Sequence, residues 1–219
     1  MGIIELENIT FAYDREEENV LKDFSLSIEK GSCTAIEGEN GSGKTTLFRI
    51  LNGLSFAQSG RYLFDGTEIT EKYLKDNRQA KLFHKRIGYL FQNPDIMLFN
   101  AKVYDEVAFG PRQMGLSDEE IDERVKDCMR IFGIENLADK APYHLSGGQK
   151  KKVALAAVMS LNPEVLILDE PYAGLDVKMQ DFLTSFLKQL KGAGKTLIVA
   201  THNLEVAKTY SDQIVTLGE

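Results

Sequence analysis

The chain has 219 residues, 43% hydrophobic and 27% charged, and its 26 Lys and Arg against 33 Asp and Glu leave a net charge of −7. That length suits one domain with a sizeable core and leaves room for an inserted subdomain, and the composition excludes a disordered, collagenous or mucin-like chain. The acidic balance argues against nonspecific binding to nucleic acid or to an anionic membrane surface, both of which want a positive field.

Short β-rich runs open the chain at residues 3–11, 21–28, 33–37 and 61–64, the second and fourth alternating roughly between apolar and polar, and they read as an antiparallel or mixed sheet. Between them, residues 44–54 turn helical, with Leu47, Ile50, Leu51 and Leu54 on one face, and residues 87–91 read as a further strand. From about 95 to 143 the character changes. A helix is expected over 103–109, ending near Gly110-Pro111. Ser117 with Glu120 forms a capping box, after which Ile121, Val125, Cys128, Met129 and Phe132 recur at helical spacing up to Gly133. Then come a helix over 148–161, an apolar strand over 165–168, a helix over 178–190, a strand over 196–200, a short helix after Asn203 and a last strand over 213–217.

Strands alternating with helices, and apolar throughout, imply a parallel sheet covered on both faces. The fold class expected is therefore α/β: a core of residues 1–93 and 162–219 with a β-rich N-terminal part, and an inserted α-helical subdomain over 94–161. No repeat, low-complexity tract or linker interrupts it. No apolar run approaches the ~18 residues of a membrane helix, so a link to a membrane is expected to pass through a partner. The start, Met1-Gly2-Ile3-Ile4-Glu5-Leu6, has no basic or long apolar leader, which points to the cytoplasm. Asn8-Ile9-Thr10 is then a chance match to a glycosylation acceptor, and Cys33 and Cys128, far apart among apolar neighbours, read as buried free thiols.

The strand over 33–37 runs into Gly38-Glu39-Asn40-Gly41-Ser42-Gly43-Lys44-Thr45-Thr46 and then a helix, the context that a phosphate-binding P-loop requires. Gly38, Gly41 and Gly43 let the backbone curl so that N–H groups face one anion at the positive end of the helix. Lys44 adds a charge for the β- and γ-phosphates and Thr45 a hydroxyl for Mg²⁺, so a nucleotide's phosphates and Mg²⁺ are the ligands expected of Gly38, Asn40, Gly41, Ser42, Gly43, Lys44, Thr45 and Thr46. Hydrolysis also needs a metal carboxylate and a group that activates water. Asp169 and Glu170, at the carboxyl end of a buried strand, supply both: Asp169 to hold Mg²⁺ through water, Glu170 as general base or water-positioning group. A helix N-cap after the strand accounts for one acid but not for two.

Leu145-Ser146-Gly147-Gly148-Gln149 also precedes a helix and offers a hydroxyl and free N–H groups to an anion, but has no Lys-Thr pair and no strand before it. On spacing alone it reads as an ordinary helix cap. Tyr13 alone is equally an edge-strand aromatic, and His202 equally a helix-start histidine. His84 and His144 fit no motif and read as surface or loop residues, and Lys150-Lys151-Lys152 as a solvated helix face.

Leu145 to Gln149 is similar to the signature sequence of the ABC (ATP-binding cassette) ATPases, and the other motifs of that family follow in order around it over essentially the whole chain. The resemblance implies a RecA-like P-loop NTPase core whose nucleotide is ATP, with Tyr13 stacking on adenine and Gln92, in Tyr89-Leu90-Phe91-Gln92, sensing Mg²⁺ and the attacking water. It implies that Gly174-Leu175-Asp176 crosses a dimer interface and that His202 contacts the γ-phosphate. Two chains would face head to tail, as a homodimer or with a paralogous ATPase, each ATP lying between the P-loop of one and the Ser146 loop of the other. Such a pair usually drives an integral membrane transporter subunit from the cytoplasmic face of the membrane, peripherally, with no nucleic acid involved.

Phe91-Gln92-Asn93-Pro94-Asp95, residues 103–110 and Ala173-Gly174-Leu175-Asp176 look like the energy-coupling-factor importers, including CbiO-type ATPases of cobalt, nickel and vitamin uptake. Many of those extend beyond the last strand, whereas this sequence stops at Glu219, so dimerisation is expected to depend on nucleotide or on a partner. Lys152 stands where the family usually has Arg, Tyr172 replaces a small residue after Pro171, and Val177 follows Asp176 where Pro is common. A soluble ABC ATPase of DNA or the ribosome is the rival reading, but this short acidic chain has no coiled-coil insertion, tandem cassette or basic patch. The presence of Glu170 and His202 disfavours a binding-only switch.

Overall fold

In the computed structural model, which describes residues 2–14, 18–202 and 204–218, the β-rich runs separate into two sheets. In chain order the first elements are β1 (Ile4–Phe11), β2 (Leu21–Ile28), β3 (Cys33–Glu37), α1 (Lys44–Leu51), β4 (Ser59–Phe64), β5 (Thr67–Glu68), α2 (Glu71–Leu74), α3 (Asn77–Arg86) and β6 (Ile87–Leu90). Then follow α4 (Val103–Gln113), α5 (Asp118–Phe132), α6 (Gly147–Met159), β7 (Val165–Asp169), α7 (Val177–Gly192), β8 (Thr196–Ala200), α8 (Leu204–Ala207) and β9 (Gln213–Thr216). Asn203, after which the sequence predicts a short helix, lies outside the described residues.

Strands β2-β1-β4-β5 form an antiparallel sheet. Along β1 the buried positions change parity, from Ile4 and Leu6 to Ile9 and Phe11. A register shift between Leu6 and Ile9, with Asn8 at φ 50°, absorbs the extra residue and keeps both pairs on the core face. The second sheet, β6-β7-β8-β3-β9, is parallel. Residues 33–37, grouped by sequence with the opening runs, belong here, because β3 is covered on both faces and its place is between β8 and β9.

That double cover explains the apolar runs of β7 and β8. Val165 and Ile167 pack into a core shared with Leu47 and Leu51 of α1 and with Ile4 and Ile28 of the antiparallel sheet. Leu166 and Leu168 face the other way, into a core with Val125 of α5, Leu155 of α6, and Leu183 and Leu187 of α7. Each such buried side chain contributes about 1.5–3 kcal/mol of transfer free energy.

The helices depart from expectation in four places. α1 stops at Leu51, short of the expected 54, and Leu54 is exposed rather than on its apolar face, because Gly53 at φ 64° turns the chain away. α4 runs on past Gly110-Pro111 to Gln113, with Pro111 inside it. Gly110 presents no Cβ to clash with the proline ring, and Pro111 is buried, so packing outweighs the lost main-chain donor. α2 and α3 carry side-chain caps at Thr70 and Asp76, yet between them bury only Phe83, which is why no apolar periodicity announces them. The run Lys150-Lys151-Lys152 is not a solvated face. Lys151 is buried, Lys150 is half-buried and paired with Asp95 at 2.6 Å, and Lys152 lies 5.1 Å over the Phe182 ring. α6 is enclosed, burying Val153, Ala154, Leu155 and Ala156 in succession, so its lysines must reach partners past neighbouring elements.

As the sequence predicts, α5 has its full capping box at Ser117 and Glu120 and ends on Gly133 in the left-handed region. His84 and His144 are exposed. Both thiols are free and buried, and burial pushes Cys33 up to about 12 and Cys128 up to about 11. Among the described residues, no helix is long and apolar enough to cross a membrane.

Candidate active site

β3 ends at Glu37 and the chain turns through the Gly-rich loop into α1. Gly38 has φ 156°, and a Cβ there would lie 2.3 Å from Ser42 Oγ and 2.8 Å from the Leu217 carbonyl oxygen, so no side chain fits. Gly43, the N-cap of α1, is left-handed at φ 98° and leaves the helix start without a side-chain cap. The first backbone bond of α1 runs from Leu47 N to Gly43 O. The amides of Lys44, Thr45 and Thr46 therefore form the free donor set of a helix start, at its positive end. Lys44 is buried, its ammonium donating to the carbonyl oxygens of Gly38 at 2.6 Å and Glu39 at 2.8 Å, and it bridges the mouth of the loop.

β7 delivers the two acids. Asp169 Oδ2 accepts from Thr45 Oγ1 at 3.0 Å and from Tyr89 Oη at 3.3 Å. Burial raises its pKa, against those two hydrogen bonds and the charges of Lys44 and Lys151, which lower it. Glu170, 8% exposed, breaks the strand at φ 44°, a left-handed conformation costly for a side chain of its size, while its N–H stays bonded to Ala200 O at 3.0 Å. From β8, His202 places Nε2 at 3.1 Å from Glu170 Oε1 and its main-chain N–H at 3.4 Å from Oε2. The first contact is close but misaligned for a hydrogen bond, so Oε1 is a buried acceptor with no hydrogen-bond partner among the described residues.

These residues share one cleft of ≈ 370 Å³, lined by Tyr13, Asn40, Gly41, Gly43, Lys44, Thr45, Thr46, Gln92, Asp169, Glu170 and His202, and by Val20. Tyr13 stands 57% exposed at the rim, edge-on to Phe11 at 5.1 Å, its hydroxyl 2.9 Å from Thr46 Oγ1. Gly38 and Ser42 belong to the loop but do not line the cleft; the Ser42 hydroxyl is buried without a hydrogen-bond partner among the described residues.

The remaining sequence-predicted residues lie elsewhere. Ser146, Gly147, Gly148, Gln149 and Asp176 line none of this cleft. Ser146 and Gln149 make a reciprocal cap on α6, at 3.4 Å from Gln149 N to Ser146 Oγ and 3.0 Å from Ser146 N to Gln149 Oε1, leaving Ser146 and Gly147 exposed. Asp176 is exposed and N-caps α7 through Met179 N at 2.8 Å. Tyr172, the departure beside this segment, is buried with its hydroxyl 3.2 Å from both Thr184 Oγ1 and Tyr210 Oη.

Sequence reasoning missed three residues. Val20 is an apolar residue before β2 that no motif marks; Tyr89 was visible as a strand residue only. Lys151 is 2% exposed and donates from Nζ to the Gln92 carbonyl at 3.1 Å. Burial lowers its pKa, against the nearby charges of Asp169 and Glu170, which raise it.

A loop of free amides with a buried ammonium, a hydroxyl–carboxylate pair, and a buried carboxylate oxygen 3.1 Å from a histidine nitrogen can hold a polyphosphate and act on a water at its end. The hard oxygen donors of Thr45 and Asp169, 3.0 Å apart at the strand end, fit a Mg²⁺ ion. A family model described as ABC transporter matches residues 21–173. The chain belongs to the ABC transporter family. Its members bind ATP and couple its hydrolysis to transport, and this ABC ATPase has the matching P-loop α/β fold. It is 46% identical over 213 residues to the nickel import ATP-binding protein LarO of Lactiplantibacillus plantarum, covering 97% of this chain and 88% of that one. The structure of CbiO1 from Clostridium perfringens, described as part of the ABC transporter complex CbiONQ, matches at TM-score 0.86 and 39% identity over 99% of this chain and 84% of that one. A dimeric post-hydrolysis structure of the ATP-binding cassette MJ0796, bound to ADP and Pi, matches at TM-score 0.88 and 30% identity over 98% and 94%.

Proposed function

We propose that this ABC ATPase energises an importer of energy-coupling-factor type for a transition-metal ion or vitamin, by ATP-driven head-to-tail pairing with a second copy or a paralogue. The observation that carries the reading is the division of the anion-binding parts. One cleft gathers the P-loop, both acids, Gln92 and His202, while the exposed amides at the Ser146 end of α6 face elsewhere and suit the nucleotide of a second chain. Support for transition-metal import comes from the relative named for nickel import and from the CbiO1 likeness.

In the proposed roles, Tyr13 stacks on adenine, the P-loop amides and Lys44 hold the β- and γ-phosphates, and Ser146, Gly147, Gly148 and Gln149 close the site from the partner. Thr45, Gln92 and, through water, Asp169 would hold Mg²⁺, which would supply charge neutralisation of the phosphate oxygens. Glu170 accepts a proton as water oxygen bonds to the γ-phosphorus, the bond from that phosphorus to the β–γ bridging oxygen breaks, and ADP leaves. His202 holds the γ-phosphate and Asp176 lies at the pair's interface. Residues 94–161 serve as the helical subdomain and 1–93 with 162–219 as the core.

The membrane subunit is proposed to dock on the helical side, where Phe99 and Phe109 form an exposed edge-to-face pair at 4.9 Å and Ile96 and Tyr143 are also exposed. The protein then works at the cytoplasmic face of the membrane without entering it. The test is the solution mass of Glu170→Gln with and without Mg-ATP. A shift from monomer to dimer on adding ATP is expected; no shift, with ATP binding intact, overturns self-pairing and sends the search to copurification with a paralogue or membrane subunit.

A further inference from the structure

Lys150 and Lys151 follow directly on Gln149 in the first turns of α6, and successive helical residues point about 100° apart. Both nevertheless reach the same short segment. Lys150 Nζ lies 2.6 Å from Asp95 Oδ1, and Lys151 Nζ donates to the main-chain oxygen of Gln92 at 3.1 Å. The segment wraps around the helix start because Asn93 caps a 3-10 turn over Pro94–Ile96, its side chain accepting from Asp95 N at 2.9 Å.

A Met or Leu would fill the place of Lys151 without taking an ammonium out of water, and a charge 2% exposed is tolerated only where it has polar work to do. Its bond fixes the carbonyl of Gln92, a residue that lines the proposed nucleotide cleft. At its N-terminus the same helix carries the exposed Ser146 and Gly147.

We propose that Lys151, backed by the Lys150–Asp95 pair, ties the segment 92–95 to the first turns of α6, so that Gln92 in one nucleotide site and the Ser146 end presented to the other site move as one piece. Lys151 is a positioning residue that acts through Gln92. This rests on the head-to-tail reading above. A change at one nucleotide then reaches the other through two lysine contacts rather than through the bulk of the core.

The experiment compares wild type, Lys151→Met, Lys151→Arg, Gln92→Ala and the Lys151→Met/Gln92→Ala double variant in the full chain, reading ATP hydrolysis against ATP concentration and equilibrium binding of a fluorescent ATP analogue. Lys151→Met is expected to lower kcat at least ~10-fold with binding within about twofold of wild type, since a displacement near 1 Å of a positioned group is enough for such a loss. Lys151→Arg should restore most of the rate. In the Gln92→Ala background, Lys151→Met should cost less than about twofold more, because it acts through a side chain already removed. Wild-type kcat in Lys151→Met, or an equal fall in both backgrounds, overturns the tie. If Lys151→Met does not fold, Lys150→Met, which leaves the buried ammonium in place, takes the test with an expected fall of about threefold, again absent with Gln92→Ala; no fall overturns it. Wild type that hydrolyses no ATP would instead count against the proposed function.

Discussion

Replacing Glu170 by Gln keeps the shape of the side chain and removes only its charge and its ability to take a proton. The amide oxygen can still accept from His202 N, as Oε2 does at 3.4 Å, so the segment after β7 should hold its place. A carboxylate 8% exposed whose Oε1 accepts no hydrogen bond among the described residues is costly to bury, so the substitution should leave the melting temperature unchanged or raise it. Its effect should fall on the chemical step. A general base contributes about 10²–10⁴ in rate, so kcat should drop at least ~10²-fold, which is about 2.7 kcal/mol of barrier. Phosphate release at saturating Mg-ATP gives kcat, and equilibrium titration with a fluorescent ATP analogue gives binding. A fall in kcat with near-normal affinity is the expected pattern; a kcat within threefold of wild type would refute the assignment of the base.

Removing the ammonium in Lys44→Ala should weaken ATP binding by about 10–100-fold, the loss of a charge-assisted contact of about 1.5–3 kcal/mol, measured by the same titration; unchanged affinity would sink the P-loop role. Burial holds both thiols well above the ordinary range and away from reagent, so at pH 8 iodoacetamide should label the native chain far more slowly than the urea-unfolded one by intact mass. Leu155→Ala, at a fully buried position between α5 and the parallel sheet, should cost about 2–5 kcal/mol in urea unfolding, and a cost below about 1 would mean that the helices do not share one core with the sheet.

What could be read in advance follows from where the physics is local. The P-loop, the acids at the end of an apolar strand and the capping boxes are written in consecutive residues, so Lys44, Asp169, Glu170 and Ser117 could be located from the chain alone. Strand membership is not local: β3 reads like its neighbours in sequence, and only its cover on both faces assigns it to the parallel sheet. The same holds for Pro111, whose burial outweighs a propensity rule, and for α3, whose caps at Asp76 carry more information than its one buried phenylalanine. Lys151 was hidden for a different reason. In a run of three lysines each looks solvated, and nothing in the run itself says that the helix beneath them is enclosed and that the middle one must find a carbonyl inside.

Under the head-to-tail pairing proposed above, the helix end at Ser146 serves two masters. Its hydroxyl oxygen receives the Gln149 amide through a lone pair, at a long 3.4 Å, while the hydroxyl proton is not used by that bond. Holding its own helix and donating to a visiting phosphate are therefore compatible acts, and no turn of α6 has to unwind to make the offer. An aspartate caps as well but brings a negative charge and no proton. Placed in the Glu170→Gln background, Ser146→Asp should accordingly separate the two duties, leaving the helix and the melting temperature intact while abolishing the ATP-driven change in mass, and a variant that still pairs would show that the hydroxyl takes no part in receiving the nucleotide.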